Sequence, residues 1–213
     1  MDLSYNISNG RVKFFADGYL NHTADYITQI TTFDENKLIT TYVNVASDIK
    51  TGLDLSFNMD VTSWLNVSLA ANTYYVTSDG EYKGAVISND GITNNSNITF
   101  DFITWKGANI QCQYFVTTPQ YFPQLTTALT HQMNVGIRQR LLKGAMTASV
   151  LLTDVFKTAK WEVSSFNNVF DLTNISRNKS RMLWLGISYN FNSFKQKSAK
   201  KAENDRSLIK LGL

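Results

Sequence analysis

Strict alternation of apolar and polar side chains constrains the fold of this chain more than any other feature. Between positions 52 and 61 one register is wholly apolar: Leu53, Leu55, Phe57, Met59 and Val61. The other register is polar or small: Gly52, Asp54, Ser56, Asn58 and Asp60. Because successive side chains of a β-strand point to opposite faces, this period of two predicts a strand with one apolar and one polar face.

The same alternation recurs along the chain, at 65–72, 98–102, 110–116, 129–138 and 183–191. These runs are rich in Thr, Val, Ile, Tyr and Phe, the residues that favour strands. Together with the less regular runs they predict an all-β, antiparallel protein of about nine strands. No stretch reaches the ~18 apolar residues of a membrane helix, so any membrane span has to be β-stranded.

Short and long connections alternate between the predicted strands. The short ones, which suit tight hairpin turns, are 9–10, 62–64, 106–107 and 142–144. The long polar ones are 32–38, 79–96, 117–127 and 157–175. A barrel that crosses the bacterial outer membrane carries tight turns on one rim and long loops on the other. The alternation therefore predicts an up-and-down transmembrane β-barrel.

An odd number of strands bears on how such a barrel closes. It makes the first and last strands run parallel, so we predict a partial barrel over residues 1–191, with the missing strands N-terminal to Met1. Residues 192–213 are predicted to form a basic periplasmic tail, because they carry six Lys and Arg residues against two acidic residues. The net charge of the whole chain is +3. Because the body is close to neutral, no nucleic-acid partner is expected.

Several segments resemble the C-terminal half of outer-membrane β-barrel proteins related to TonB-dependent receptors, of the type abundant in Bacteroidota. They are the strand start Gly-Leu-Asp-Leu at 52–55, the Gly-Ile-Arg strand at 136–138 with its Leu-Lys-Gly turn, and the last strand ending in Tyr-Asn-Phe at 189–191. The most specific is 152–158, Leu-Thr-Asp-Val-Phe-Lys-Thr, which is similar to a Ser-Asp-Ile-Phe-Asn-Thr stretch near the end of the family's barrel.

The resemblance implies an activity and partners. Such proteins take up nutrients through a barrel of about twenty-two strands whose lumen holds an N-terminal plug that contacts TonB. The implied partners are the missing N-terminal strands and plug, TonB through them, the outer-membrane lipid and the barrel assembly machinery. The resemblance also implies an assembly signal in the terminal strand, at Tyr189 and Phe191.

The two predicted faces give two sets of candidate residues. Those expected to face the lumen or plug are Asp54, Ser56, Asn58, Asp60, Asn72, Gln132, Asn134 and Arg138. Those expected to face lipid are Leu53, Leu55, Phe57, Leu183, Leu185 and Ile187. Aromatic residues are expected in two girdles at the membrane interfaces. Those beside short turns are Trp64 and Trp105, and those near long connections are Tyr74, Tyr75, Tyr82, Tyr114 and Phe115.

The sequence gives little support for a catalytic site or a metal site. His22 and His131 have no Cys, Asp or Glu at ligand spacing, so no metal, cofactor or enzyme activity is predicted. Two other functions stay open. One is a soluble or surface-attached β-sandwich that binds or adheres, and the other is an outer-membrane enzyme that uses one histidine. Ligand contacts are expected in the long connections, around 79–94 and 120–124.

Overall fold

The computed structural model describes residues 2–104, 107–166 and 170–191, apart from the side chain of Val45. Within these residues the chain forms β1 (Asp2–Asn9), β2 (Val12–Asp34), β3 (Lys37–Thr62), β4 (Leu65–Tyr82), β5 (Ala85–Ile103), β6 (Ala108–Thr117), β7 (Tyr121–Phe122), β8 (Leu125–Thr127), β9 (Thr130–Leu141), β10 (Met146–Leu152), β11 (Trp161–Phe166), β12 (Asp171–Ser176) and β13 (Leu183–Tyr189). A 3-10 turn, Leu142–Gly144, precedes β10. No described helix is long and apolar enough to cross a membrane.

Nine strands form the main sheet, in the order β1-β2-β3-β4-β5-β6-β9-β10-β13. All neighbouring pairs are antiparallel, as the alternation predicts. β1 and β13 are its two edges and run in the same direction, and no pairing joins them in the described chain. The remaining four strands form a cap sheet in the order β12-β11-β8-β7. The all-β, antiparallel prediction is confirmed.

The predicted connections separate into two kinds. Short turns at 10–11, 63–64 and 142–144 lie where predicted, whereas the fourth, at 106–107, includes a residue outside the described part. We call the rim that carries them the short-turn rim and the opposite one the long-connection rim. The loops predicted at 32–38 and 79–96 are wrong. β2–β3 and β4–β5 continue there as paired strands and end in two-residue turns, Glu35-Asn36 and Lys83-Gly84.

Backbone geometry explains why these two segments stay in strands. Both residues of each turn have positive φ: 45° and 63° at Glu35 and Asn36, and 52° and 79° at Lys83 and Gly84. Such turns match the right-handed twist of a hairpin and let its strands pair up to the tip. Apolar residues of the projecting hairpins do not follow a period of two, so the alternation that marks the other strands is weak there.

The other two long connections fold into the cap sheet. The link from β6 to β9 contains β7 and β8, and the link from β10 to β13 contains β11 and β12. β8 pairs with β11, so the two connections form one unit at the long-connection rim. The predicted domain boundary at 191/192 and the tail at 192–213 lie outside the described residues.

Few apolar side chains are buried, and they lie near the cap sheet. In the described chain they are Pro123 of the β7–β8 hairpin and Ile30, Ala46, Val76 and Ile87, the last four at the long-connection end of β2 to β5. The apolar face of the main sheet is uncovered: Leu185 is 75% exposed and Ile187 is 77% exposed. A water-soluble sandwich buries such a face against a second sheet. The alternative β-sandwich fold is therefore wrong.

Candidate binding cleft and polar face

The register of the main sheet places the two predicted residue sets on opposite faces. Asp54 lies opposite Asn72, and the Asn72 amide donates hydrogen bonds to the Asp54 carboxylate and to the Tyr19 hydroxyl, at 2.9 Å for the latter. The Tyr19 ring lies over Gly52, where an added Cβ would fall 2.5 Å from it. Glycine at position 52 thus provides the space for Tyr19 to reach Asn72.

Hydrogen bonds continue along the polar face toward the short-turn rim. Asn58 donates to Ser68 at 2.7 Å and to Asn66 at 3.1 Å, and Asn66 donates to Asp60 at 2.8 Å. Ser56 lies on the same register of β3, between Asp54 and Asn58. These contacts join side chains of β3 and β4 across the strand pair.

On β9 the predicted lumen residues share the polar face but have different surroundings. Gln132 pairs with Phe115 of β6 and Arg138 pairs with Asn109, both at ladder positions. Asn134 is different, because its Oδ1 accepts the backbone N–H of Asp154 at 3.0 Å. Its amide anchors the start of the connection after β10. Contact of the polar face with a lumen or a plug stays a prediction.

Apolar residues form continuous rows on the opposite face. One row crosses six strands through ladder pairs: Leu65, Phe102, Ile110, Ile137, Val150 and Leu185. Leu53, Leu55 and Phe57 of β3 and Leu183 and Ile187 of β13 lie on the same face. From Leu53 to Val61 the strand rises roughly 26 Å, which gives a band of about 19 Å at 45° tilt and covers most of a ~25 Å lipid belt. Contact of this face with lipid stays a prediction.

The aromatic residues divide between the faces. The rings of Trp64 and Phe102 stack beside a short turn, with their centres 6.3 Å apart. The rings of Tyr114 and His131 lie near the other rim, with their centres 5.9 Å apart. All four residues are on the apolar face. Tyr74 and Phe115 do not fit the predicted girdle, because their register places them on the polar face. Proximity in sequence to a long connection does not reveal the face, which strand register decides. Trp105 lies outside the described residues.

The hairpin β7–β8 lies on the polar face of β5. The Asn89 amide donates to the backbone oxygen of Phe122 and to the Thr126 hydroxyl, at 3.0 and 2.9 Å. The Tyr121 ring lies so close to Gly91 that an added Cβ would fall 2.3 Å from it. A glycine at 91 therefore admits the ring, and the hairpin packs directly on the strand.

Gln124, at the tip of this hairpin, reaches across to β2. Its Oε1 accepts the N–H of Thr31 at 2.6 Å, and its Nε2 donates to the Thr31 carbonyl at 2.9 Å. β1 pairs with β2 only as far as Tyr19, so this stretch of the β2 edge has no strand neighbour on that side in the described chain. The side chain of Gln124, 3% exposed, thus takes the place of a strand and holds the cap sheet to β2.

Replacing Gln124 by leucine is expected to loosen the cap. The change leaves the N–H and C=O of Thr31 unpaired, at a cost of about 1–3 kcal/mol for each group that stays buried. Chymotrypsin should then cleave after Tyr121 at least fivefold faster in the purified protein. The control is Gln111→Leu, which removes only an exposed bond to Asp101. Equal cleavage rates for the two variants would contradict the anchoring role.

A cleft of about 1010 Å³ lies between the cap sheet and the β2–β3 hairpin. Aromatic rings line it from both sides: Tyr26, Tyr74, Tyr121, Phe122 and Trp161. The remaining walls are aliphatic, hydroxyl and amide groups. The charged residues in the described lining are Asp48 and Lys50. The size matches the upper end of the range for small-molecule sites.

Asp48 and Lys50 form an ion pair at the floor of the cleft. The Lys50 Nζ lies 2.8 Å from Asp48 Oδ2 and 5.9 Å from the centre of the Tyr74 ring. Burial alone would lower the pKa of Lys50, but the hydrogen bond and charge of Asp48 raise it above its ordinary value. Burial raises the pKa of the neighbouring Tyr26 phenol. The floor therefore carries the Asp48–Lys50 ion pair, and the Tyr26 phenol beside it stays protonated at neutral pH.

The second oxygen of Asp48 is not satisfied. Asp48 is 7% exposed, and its Oδ1 is buried without a hydrogen-bond partner in the described chain. An unpaired buried acceptor costs about 1–3 kcal/mol and calls for an explanation in a native structure.

Sequence reasoning missed Asp48, Lys50 and Trp161 as residues of the cleft. The expected contact residues Gln120, Tyr121 and Phe122 do line the cleft.

The family-like segment 152–158 forms a compact anchor around Asp154. This residue is fully buried, and its carboxylate accepts the N–H of Thr158 at 2.9 Å, the N–H of Ala159 at 3.1 Å and the hydroxyl of Ser180 at 2.5 Å. Arg181 donates to the backbone oxygen of Asp154. Burial alone would raise the pKa of Asp154, but these hydrogen bonds to the carboxylate lower it below its ordinary value. The anchor joins both ends of the connection that carries β11 and β12.

The remaining predicted residues have clear positions. Tyr189 ends β13 and Phe191 follows it, with their rings edge to face at 4.8 Å. Phe191 is 90% exposed, as a residue available to another protein would be, and the assembly role stays a prediction.

His22 and His131 both lie on the apolar face of the main sheet. No group of three His, Cys, Asp or Glu suited to a metal occurs in the described chain.

A nine-stranded antiparallel up-and-down sheet, one exposed apolar face, one polar face and two long connections folded over a single rim define an outer-membrane β-barrel protein. The chain belongs to the outer membrane protein beta-barrel family, which it matches over residues 1–189. Its location is therefore the outer membrane. No curated protein and no solved structure matches it.

Proposed function

We propose that this chain is the C-terminal portion of a TonB-dependent-receptor-like transporter that takes up a nutrient across the outer membrane. The observation that carries the proposal is the cap sheet, which folds over the polar face at one rim and encloses a cleft of about 1010 Å³. Long loops on the extracellular rim are where outer-membrane barrels differ in function. A cleft on that rim and on the polar face lies where a nutrient would enter a lumen.

The proposed partners follow from the edges of the main sheet. β13 and the stretch from Leu3 to Asn9 of β1 have their outer sides free of strand pairing in the described chain. Open sheet edges do not occur in the hydrocarbon region, so further strands complete the wall. These strands, a plug that contacts TonB, the barrel assembly machinery and outer-membrane lipid are the proposed partners.

We also propose that the chain has no catalytic role. A Ser-His-Asp site needs a histidine beside the substrate. His22 and His131 lie on the apolar face, opposite the cleft, and His131 Nδ1 is 3.1 Å from the Tyr114 hydroxyl. Both orientations direct the imidazoles away from the polar face.

A growth experiment tests transport. The gene for the full protein is deleted in its native bacterium, and growth is followed on limiting concentrations of a panel of carbon sources and iron chelates. The proposal expects slower growth on at least one nutrient, restored by the wild-type gene. Loss of TonB should reproduce the defect. Unchanged growth on the whole panel, in a strain that normally displays the protein in its outer membrane, would refute transport.

A further inference from the structure

We propose that the short-turn rim binds anionic phospholipid headgroups through Lys143 and the lysines of residues 192–213. This inference goes beyond transport and does not depend on it. It rests on the charge of the rim, on the point where the chain leaves the main sheet and on the backbone of the β9–β10 turn.

The short-turn rim is basic where it meets the apolar face. Its described turns, at 10–11, 63–64 and 142–144, contain Arg11 and Lys143 and no acidic residue. The nearest carboxylates, those of Asp60 and Asp101, lie on the polar face. The hairpin tips of the opposite rim carry both signs of charge, at Glu35 and Lys37 and at Glu81 and Lys83. The two rims therefore differ in net charge as well as in length of connection.

The β9–β10 hairpin carries no negative charge that would offset Lys143. The sequence contains no Asp or Glu between Asp101 and Asp154. Lys143 is exposed and forms no ion pair within the described part of the chain. An exposed, unpaired ammonium at the edge of a membrane-spanning sheet attracts anionic headgroups.

The last described residues lie beside this turn, on the lipid side of the rim. The Asn190 N–H donates a hydrogen bond to the Ala145 carbonyl at 2.9 Å, so the chain leaves the sheet next to the β9–β10 turn. The Phe191 ring packs edge to face on that of Tyr189, which lies on the apolar face. Residues 192–213 therefore continue from a point at the membrane interface.

Most of the positive charge comes from residues 192–213. Their first basic residues are Lys195, Lys197, Lys200 and Lys201, and their first acidic residue is Glu203. Even in an extended chain, Lys195 lies within about 14 Å of Phe191. A basic cluster directly beside a membrane span is typical of segments that bind anionic lipid.

The backbone of the β9–β10 turn supplies an observation independent of charge. Leu142 and Lys143 have φ values of 52° and 56°, in the left-handed region that Gly, Asn and Asp adopt more readily. A Leu-Lys pair is therefore unfavourable for the turn itself, which points to a role for the side chains. Leu142 is 64% exposed, and an exposed apolar residue beside a lysine suits the boundary between acyl chains and headgroups. Trp64 and Phe102 stack at the same rim, as interfacial aromatic residues do.

Energy transfer from tryptophan to pyrene-labelled lipids, measured on the full protein in a neutral detergent, tests this inference. The probes are phosphatidylglycerol and phosphatidylcholine with the same acyl chains, so they differ in headgroup charge. At low salt, wild type should bind phosphatidylglycerol at least tenfold more tightly. Each Lys or Arg near an anionic surface contributes about fivefold in affinity, so Lys143→Gln should weaken this binding about fivefold. A combined variant should abolish the preference: Lys195→Gln, Lys197→Gln, Lys200→Gln and Lys201→Gln.

Two single substitutions are matched controls, because each removes one positive charge from another place. Arg140→Gln removes it from the same hairpin, but Arg140 pairs with Thr147 on the polar face. Lys83→Gln removes it from a hairpin tip at the opposite rim. Both variants should keep the affinity of wild type for phosphatidylglycerol. A loss in either control as large as that in Lys143→Gln would overturn the inference.

Salt provides a second measurement that needs no variant. At about 1 M salt the Debye length is about 3 Å, so wild type should lose its preference for phosphatidylglycerol. A preference that persists at this salt concentration, or that persists in the combined lysine variant, overturns the inference. Equal affinity of wild type for the two lipids at low salt overturns it as well.

Discussion

Leu185→Arg is expected to lower the amount of folded protein in the outer membrane sharply. Leu185 lies in the middle of β13 on the apolar face, pairs with Val150 and is 75% exposed. If that face meets lipid, a guanidinium there costs about 2–4 kcal/mol near the bilayer midplane and less near an interface. Heat-modifiable migration of the outer-membrane fraction on a gel measures folded and unfolded protein.

The matched control for this change lies three residues further along the same strand. Ser188 is on the polar face and pairs with Thr147, so Ser188→Arg adds the same side chain on the opposite side. Folding of the Ser188 variant should stay close to wild type. The reverse result, a normal Leu185→Arg and an unfolded Ser188→Arg, would show that the two faces have been assigned the wrong way round.

Asp154→Ala is expected to have the second large effect, a loss of about 3 kcal/mol or more. The change removes the acceptor of hydrogen bonds from Thr158, Ala159 and Ser180 in a fully buried site. Each buried donor left unpaired costs about 1–3 kcal/mol. Urea unfolding in lipid vesicles gives the free energy of unfolding. Asp90→Ala, which removes one exposed bond from Tyr75, is the control and should change it by less than about 1 kcal/mol.

The same carboxylate predicts a loss of stability in acid. The pKa of Asp154 is lower in the folded protein than in the unfolded chain, because its hydrogen bonds favour the charged form. Its contribution is therefore complete above the unfolded pKa of about 3.9 and is lost as the pH falls through the folded pKa. The free energy of unfolding should fall below pH 4 in wild type and fall less in Asp154→Asn. Parallel curves for the two proteins would contradict this assignment.

Much of the main sheet is predictable from sequence because strand periodicity is local. Alternation over Leu53 to Asp60 identifies a strand and separates its two faces without any tertiary information. The same reasoning fails at 32–38 and 79–96, where the apolar residues of the paired strands do not follow a period of two. It also misplaces Tyr74 and Phe115, since their distance from a long connection does not reveal which face they occupy.

The candidate site lies beyond sequence reasoning for a different reason. Gln124 and Thr31 are 93 positions apart, and their pairing depends on how the cap sheet folds back over the polar face. In the sequence, Asp48 and Lys50 are two more residues on the polar side of β3. Only the folded chain places Trp161 in the same cleft as them. The 152–158 segment is recognisable from its residue pattern, but only the fold shows that Asp154 holds Ser180.

By itself the sequence determined the strand class, the two chemically distinct faces, the tight turns and the need for a β-stranded rather than helical span, because each depends on neighbours a few positions apart. Tertiary structure decided that two long connections join in one cap sheet, that a cleft lies beneath it and that Asp48 is left with an unsatisfied oxygen. These features depend on contacts between segments far apart in the chain, which no local periodicity encodes.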